Sequence, residues 1–192
     1  MQTKMAYTTR IAVLASAAAI LMAMELPVIF MPGFLKLDFS EIPAIIGAFA
    51  LGPLAGCLIV FIKNLIHVSN TQTAGIGEMA NFFVGTCFVV PAAFVYQYKK
   101  NRAGAMWALL AGTFFMTLMA AVLNYWVLLP LYQKVLHFPA EAMIAMGKAG
   151  NPFIVDIKTF IVFAIIPFNL FKGIVVSAIT LLVYKKLSPI LH

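Results

Sequence analysis

Long apolar stretches separated by short polar segments make up most of the chain. The hydrocarbon core of a bilayer is about 30 Å thick, so a helix needs about 20 mainly apolar residues to cross it. Four stretches reach roughly this length, and each ends at a Pro-Gly pair, a proline or a basic cluster, which are typical helix boundaries. The pattern predicts helices over residues 11–30, 78–98, 103–129 and 156–184.

A shorter apolar pattern lies between the first two of these helices. Residues 42–51 precede the turn-forming pair Gly52-Pro53, and residues 54–67 follow it as a further helix. At 1.5 Å per residue, ten to thirteen helical residues span only about 15–20 Å, which is less than the hydrocarbon core. We therefore expect residues 42–51 to form a helix that is tilted or buried against protein. Counted as two crossings, the pair brings the total to six transmembrane helices.

Six crossings place the basic residues of the helix ends on one side of the membrane. Cytoplasmic loops are enriched in Lys and Arg, so this side is predicted to be the cytoplasm and to hold both termini. The acidic residues then lie at or toward the outside, as do the longer loops near 31–41, 68–77 and 130–156. A ligand site is therefore expected to face outward. The basic residues concerned are Lys4, Arg10, Lys99, Lys100, Arg102, Lys185 and Lys186.

The composition agrees with a membrane fold. Hydrophobic residues make up 64% of the 192 residues and charged residues 10%, against roughly 45–50% and 25% in soluble domains. We predict an all-α integral membrane protein in which residues 1–192 form one domain. The net charge of +7 is explained by membrane orientation, so nucleic acid is not an expected partner. Cys57 and Cys87 lie in apolar stretches without further ligands at metal spacing, so neither a disulfide nor a metal site is expected.

Residues 37–44, with the sequence Leu-Asp-Phe-Ser-Glu-Ile-Pro-Ala, are the most unusual stretch of the chain. Asp38 and Glu41 place two carboxylates at the mouth of the short helix. A charge at the centre of a membrane helix costs about 2.5–3.5 kcal/mol on insertion scales, so such residues are usually functional. We interpret the stretch as part of a binding site, with Phe39 as an aromatic wall.

Further polar side chains lie inside the apolar helices. Asn124 belongs to the predicted fifth helix, and Asn169 and Lys172 lie three positions apart on one face of the last. Pro167 precedes them and is expected to free the carbonyl of Phe163, which can bend the helix. Amides and charges are seldom left unpaired in a membrane, so these residues are candidate site residues together with Glu41.

Two interpretations of Lys172 remain open. Its ammonium group either forms an internal ion pair with Glu41 or Asp38, or contacts a ligand. Amides and charges beside aromatic rings suit a planar heteroaromatic ligand, and the polar outer loops suit a polyhydroxylated tail. The aromatic residues expected near the site are Phe39, Tyr125, Trp126, Phe168 and Phe171.

Ala15, Ala19 and Ala23 form a stripe of small residues along one face of the first helix. Small residues allow close approach between helices in lipid, where no hydrophobic force drives their association. The stripe either packs against this protein's own helices or forms a docking face for another subunit.

Motifs for catalysis and nucleotide binding are missing from the sequence. It contains neither a Gly-rich phosphate loop ending in Lys-Ser/Thr nor a His/Asp/Ser constellation or a set of paired metal ligands. An enzyme is therefore not expected. If the protein moves a solute uphill, the energy conversion resides in another subunit, or a coupling ion supplies it as in a secondary transporter.

Several motifs spread over nearly the whole chain carry a family resemblance. They are the alanine stripe, residues 37–43 leading to Gly52-Pro53, Lys63-Asn64, Asn81-Phe82-Phe83, Asn124-Tyr125 before Pro130-Leu131-Tyr132, and residues 168–172. With six predicted helices, the chain resembles the substrate-binding S components of energy-coupling factor (ECF) vitamin transporters, in particular the riboflavin-binding type.

The resemblance implies a multi-pass protein of the bacterial plasma membrane that binds riboflavin from outside. Glu41, Asn124, Asn169 and Lys172 match the polar ligand contacts of the family. The implied partners are a transmembrane T component, two cytoplasmic ATPase subunits and the surrounding membrane lipid. Riboflavin is then a transported substrate, and no cofactor is expected. An S component for another planar vitamin and a stand-alone secondary transporter remain the alternatives.

Overall fold

The computed structural model describes residues 4–28 and 35–191, with side chains as far as Val183. Nearly all of this part of the chain is helical. The elements are α1 (Lys4–Ala23), β1 (Leu26–Pro27), β2 (Lys36–Leu37), α2 (Glu41–Leu51), α3 (Pro53–His67), a 3-10 turn (Val68–Asn70), α4 (Ile76–Tyr98), α5 (Arg102–Leu123), a π-helical turn (Asn124–Leu128), α6 (Leu129–Val135), α7 (Ala140–Gly150), α8 (Ile157–Phe160), a second π-helical turn (Ile161–Ile165) and α9 (Ile166–Leu191).

Five helical stretches of the described chain are long and apolar enough to cross a membrane. They are Lys4–Ala23, Pro53–Asn70, Ile76–Tyr98, Arg102–Val135 and Ile157–Val183. The helix Glu41–Leu51 is apolar but shorter, as its sequence predicted. The helical class of the fold is thus confirmed, whereas the count of six crossings and the side on which the termini lie stay predictions.

The first helix differs from its prediction at both ends. It begins at Lys4 and ends at Ala23, although apolar residues continue beyond that point. Leu26–Pro27 instead pairs antiparallel with Lys36–Leu37 in a two-stranded hairpin. Hydrophobicity alone does not distinguish a helical end from an extended apolar segment, which explains the error. The predicted break at Pro32-Gly33 lies outside the described residues.

Two prolines that were expected to interrupt helices are accommodated by π-helical turns. Pro130 cannot donate to the carbonyl of Trp126, and Pro167 cannot donate to that of Phe163. Each of these carbonyl residues lies within a π-helical turn, so the hydrogen-bonding pattern changes where the proline would disrupt it. The predicted stop of the fifth helix at residue 129 was therefore wrong, because the helical path continues to Val135.

The segment predicted as a loop over residues 130–156 contains α7 (Ala140–Gly150). Its alanine, methionine and glutamate residues have high helix propensity, which the hydrophobicity pattern does not register. The last helix also runs to Leu191, beyond the predicted end at residue 184.

A tight corner joins α2 to α3 and packs both against α4. Gly52 has a φ of 101°, which a residue with a side chain rarely adopts, and Pro53 begins α3 directly after it. A Cβ at Gly56 would lie 2.6 Å from the Cβ of Ala48 and 2.4 Å from Cγ1 of Val89. The backbones of α2 and α3 therefore approach closely beside α4.

We expect Gly112→Ala to destabilise the protein by about 1–3 kcal/mol, in spite of alanine's higher helix propensity. A Cβ at Gly112 of α5 would lie 2.5 Å from the carbonyl oxygen of Phe88 on α4, so the two backbones must separate. Thermal unfolding in detergent measures the effect. Leu110→Ala, which changes an exposed side chain of the same helix, is the control. An unchanged melting temperature for Gly112→Ala would show that α4 and α5 do not pack as closely as described.

Candidate functional site

The segment from Asp38 to Glu41 enters the core at the first turn of α2. Asp38 is 3% exposed and Glu41 is 1% exposed, so both carboxylates are removed from solvent. Glu41 is the first residue of α2, where the positive end of the helix dipole favours a negative charge. The structure thus brings together the two carboxylates that the sequence singled out, in a buried and polar setting.

Glu41 forms a buried ion pair with Lys63 of α3. The distance from Lys63 Nζ to Glu41 Oε1 is 2.6 Å, and Lys63 is 0% exposed. The second carboxylate oxygen, Oε2, is also buried and has no hydrogen-bond partner among the described residues. A Cβ at Gly85 of α4 would lie 2.7 Å from Oε1 and 3.1 Å from Oε2, so a glycine is needed there to make room for the carboxylate.

Lys172 of α9 forms a second buried ion pair, with Asp38. Its Nζ lies 2.7 Å from Asp38 Oδ2, and Lys172 is 7% exposed. Asp38 and Glu41 were the two partners considered for Lys172. In the structure Lys172 pairs with Asp38, and Glu41 pairs with Lys63 instead. Burial alone would raise the pKa of the Asp38 carboxyl, but the ammonium groups of Lys172 and Lys63 outweigh that effect and hold the pKa well below its usual range.

Ser40 connects the two ion pairs. Its hydroxyl accepts a hydrogen bond from Lys63 Nζ and donates one to Asp38 Oδ1. The Ser40 backbone N–H also donates to Asp38 Oδ1 at 2.9 Å. Four charged side chains from three helices and the preceding segment are therefore linked through one hydroxyl group. We call this set the charge network: Asp38, Ser40, Glu41, Lys63 and Lys172.

A polar cavity with a volume of about 520 Å³ lies next to the charge network, and Asp38 forms part of its wall. This volume is within the range of about 300–1,000 Å³ that is usual for small-molecule sites. The other lining residues come from the ends of α1 and α3, from β2, from the loop at residues 70–73, from the start of α4 and from α6. They are Met22, Ala23, Glu25, Lys36, His67, Asn70, Gln72, Thr73, Gly77, Glu78, Asn81 and Tyr132.

Polar contacts join the elements that surround this cavity. Lys36 Nζ lies 2.6 Å from Glu25 Oε2, which ties the two strands of the hairpin together at the cavity wall. His67 Nδ1 lies 2.9 Å from Glu78 Oε1, and the Thr71 hydroxyl donates to Glu78 Oε2 at 2.8 Å. The cavity wall therefore offers both carboxylates and hydrogen-bonding groups to a ligand.

The two predicted amides are buried within the helical segments that contain the π-helical turns. Asn124 and Asn169 are buried, and the Nδ2 group of each donates to the carbonyl four residues earlier, at 2.8 Å to Ala120 and 2.9 Å to Ile165. Asn124 is the first residue of one π-helical turn, and Asn169 lies four residues after the end of the other. Their side-chain carbonyls receive no hydrogen bond from other described residues.

The predicted aromatic residues do not form one wall: Phe168 is buried and Phe171 is 48% exposed on α9, and neither belongs to the described lining of the cavity. Phe39 is half-buried within the segment that carries the charge network. Trp126 is 72% exposed and lines a separate open cleft of about 600 Å³, together with Tyr125 and Lys158. Of the residues predicted to bind substrate, the described lining of the cavity includes Asp38. It does not include the others, which are Phe39, Glu41, Asn124, Trp126, Asn169 and Lys172.

The three alanines of the stripe have different environments. Ala15 is buried in the core, Ala19 is half-buried, and Ala23 is exposed at the cavity. Ala12 and Ser16, which lie beside the stripe, are exposed. Internal packing therefore accounts for Ala15, whereas the side of α1 that carries Ala12 and Ser16 is not covered by the described part of the chain.

Sequence reasoning missed the role of Lys63, although a signal for it was present. Glu41 lies eleven positions before Gly52, and Lys63 lies eleven positions after it. Two antiparallel helices joined by a tight turn bring such equidistant residues opposite each other. The contacts of His67 and Glu78 were also missed, since they depend on the relative position of the ends of α1, α3 and α4.

Comparisons with known proteins agree with this architecture. The family model for the ECF transporter, substrate-specific component, matches residues 6–184. The riboflavin transporter FmnP of Bacillus subtilis (strain 168) is 38% identical over 182 residues, which cover 93% of this chain and 90% of that protein. The riboflavin transporter RibU of Staphylococcus aureus (strain TCH60) is 35% identical and covers 94% of this chain and 89% of its own.

A solved structure has a similar fold over nearly the whole chain. It is described as "Structure and mechanism of the S component of a bacterial ECF transporter", with a TM-score of 0.77 and 31% sequence identity. The match covers 98% of this chain and 99% of the other. The chain therefore belongs to the family of substrate-specific S components of ECF transporters.

Proposed function

We propose that this protein binds riboflavin with high affinity and serves as the substrate-specificity subunit of an ECF-type ABC transporter. The observation that carries the proposal is the ligand-sized polar cavity whose wall includes Asp38, a carboxylate held in a buried ion pair with Lys172. Two relatives that match over nearly the whole chain are named riboflavin transporters, which supports this substrate over another planar vitamin.

The polar groups of the site suit both the heteroaromatic ring system of a flavin and its polyhydroxylated side chain. The side-chain carbonyls of Asn124 and Asn169 and the unpaired Oε2 of Glu41 are acceptors for the polar edge of a heteroaromatic ring. The carboxylates, hydroxyls and amides around the cavity suit a polyhydroxylated chain. The proposed ligand contacts are Asp38, Phe39, Glu41, Asn124, Asn169 and Lys172. Trp126 would contact the ligand only if the separate open cleft that it lines moved next to the cavity.

Six crossings, with both termini in the cytoplasm, are part of the proposal. Phe49 near the end of α2 stacks on Tyr96 near the end of α4, with ring centroids 4.1 Å apart. At the other end, His67 closes α3 and contacts Glu78 at the start of α4. These contacts support α2 and α3 as two successive crossings in spite of the short length of α2. The basic cluster at residues 99–102 then lies at the cytoplasmic surface.

The partners follow from the family and from the missing nucleotide motif. A chain without a phosphate-binding loop depends on other subunits for ATP hydrolysis, so we propose a transmembrane T component and two cytoplasmic ATPases. The protein is then a multi-pass component of the bacterial plasma membrane, with residues 1–192 as a single transmembrane domain and no cofactor of its own.

We expect the purified protein to bind riboflavin tightly enough to be yellow and to quench flavin fluorescence on titration. Riboflavin fluorescence falls when the ring enters a site with aromatic and polar contacts, so the titration gives the dissociation constant directly. Thiamine and biotin, added over the same concentration range as riboflavin and then in excess, serve as competitors. Displacement of riboflavin by either vitamin at similar concentrations, or no quenching at all, would contradict the assignment.

We expect the double variant Asp38→Asn/Lys172→Met to fold but to bind riboflavin about 10- to 150-fold more weakly. Removing both charges leaves no unpaired ion, and such neutral replacements of buried pairs are often tolerated. A lost hydrogen bond to a charged group costs about 1.5–3 kcal/mol of binding free energy, which gives this range. Lys172→Met alone leaves the Asp38 carboxylate unpaired and should destabilise the fold by about 3–5 kcal/mol. Normal affinity in the double variant would mean that the ion pair is purely internal.

We expect Ala12→Leu combined with Ala19→Leu to retain riboflavin binding and to lose ATP-dependent uptake. Both positions lie on the less buried side of α1, where larger side chains would hold a partner helix away and forfeit many small dispersion contacts. Copurification with the T component and uptake in cells are the measurements. The matched control is Ala15→Leu, which should lower thermal stability because Ala15 is in the core. Unchanged uptake in the double variant would place the docking face elsewhere.

A further inference from the structure

The two buried ion pairs are joined in a way that neither pair requires for its own neutrality. Glu41 and Lys63 balance each other, as do Asp38 and Lys172. Ser40 nevertheless accepts from Lys63 and donates to Asp38, so the position of one carboxylate depends on the ammonium group of the other pair. This connection passes through a single hydroxyl that is itself 0% exposed.

Of the charge network, Asp38 is among the described lining residues of the cavity, whereas Ser40, Glu41 and Lys63 are not, and Ser40 and Lys63 are 0% exposed. Any influence of these two residues on a ligand must therefore act through the residues they hold. Lys63 donates to Oε1 of Glu41 and leaves Oε2 as a buried acceptor without a described partner. Ser40 binds Oδ1 of Asp38 through its hydroxyl and its backbone N–H, which leaves Oδ2 to Lys172.

We propose that Lys63 and Ser40 are positioning residues of the ligand site. Lys63 holds the Glu41 carboxylate and, through the Ser40 hydroxyl, sets the direction of Asp38, so that Asp38, which lines the cavity and pairs with Lys172, keeps a fixed orientation toward the ligand. The proposal rests on riboflavin binding by this same site.

The proposed positioning follows from the hydrogen-bonding geometry of the Lys63 ammonium group and the two carboxylates. An ammonium group has three donors, and a carboxylate can rotate to satisfy them in several ways unless other contacts fix it. Here Lys63 directs two donors to Glu41 and Ser40, and the absence of a side chain at Gly85 allows Glu41 to occupy its place. Ligand sites keep their polar groups within narrow geometric limits by means of such supporting contacts.

The test is Ser40→Ala, which removes the connecting hydroxyl and retains all four charges. We expect the dissociation constant for riboflavin, measured by flavin fluorescence, to rise about 5- to 150-fold, as for other lost buried hydrogen bonds. Ser177→Ala is the matched control, because it removes a half-buried hydroxyl from α9 away from the charge network, and it should change the constant less than twofold.

A double-mutant cycle separates positioning from a general loss of stability. If Ser40 acts through Asp38 and Lys172, Ser40→Ala should weaken binding far less when Asp38→Asn and Lys172→Met are already present. Additive losses in the combined variant would overturn the proposal. So would a lowered melting temperature with unchanged affinity in Ser40→Ala, since that result indicates a structural role only. A wild-type protein that does not bind riboflavin would instead refute the proposed function.

A second comparison keeps the proposal testable if Ser40→Ala does not fold. Lys63→Met with Glu41→Gln replaces one ion pair by neutral side chains and leaves no unpaired charge. It should weaken riboflavin binding less in the Asp38→Asn/Lys172→Met background than in the wild type, because the effect of Lys63 through Asp38 is already lost there. Equal losses in the two backgrounds would show that Lys63 acts only as the counter-charge of Glu41.

Discussion

Four charged side chains have to be neutralised in the interior of this protein, and the arrangement of its central helices depends on that requirement. Asp38, Glu41, Lys63 and Lys172 are all buried, in a chain of which 64% is hydrophobic. An uncompensated charge in such surroundings costs several kcal/mol, so each ammonium group must meet a carboxylate at hydrogen-bonding distance. The ion pairs therefore constrain how α3 and α9 are placed relative to α2 and the segment that precedes it.

Local backbone features make this placement possible. Gly52 and Pro53 turn the chain so that α3 returns along α2 and brings Lys63 to Glu41. Gly85 gives the Glu41 carboxylate the volume that a methyl group would occupy. The π-helical turn before Pro167 keeps α9 helical in spite of the missing N–H, so Asn169 and Lys172 stay on one face.

Most helices could be predicted from the sequence, but several of the residues at which they begin or end could not. Helical periodicity and hydrophobic length depend on many residues, whereas an end depends on one or two contacts. The hairpin pairing of Leu26–Pro27 and the π-helical turn before Pro130 are contacts of this kind. At the site, the pairing of Lys172 was foreseen as one of two possibilities, because any buried lysine needs a partner. The choice of Asp38 over Glu41 was not predictable, since it follows from the position of Lys63.

A buried ion pair is weak evidence for stability, because a well-packed apolar pair of similar volume is often as stable. Two such pairs linked by a hydroxyl in an apolar core are therefore better explained by the need for oriented polar groups than by folding alone. The network also borders the cavity through Asp38, whereas Ser40, Glu41 and Lys63 are buried in the interior. A ligand that replaces part of the network's hydrogen bonding would change the contacts between α2, α3 and α9 at once.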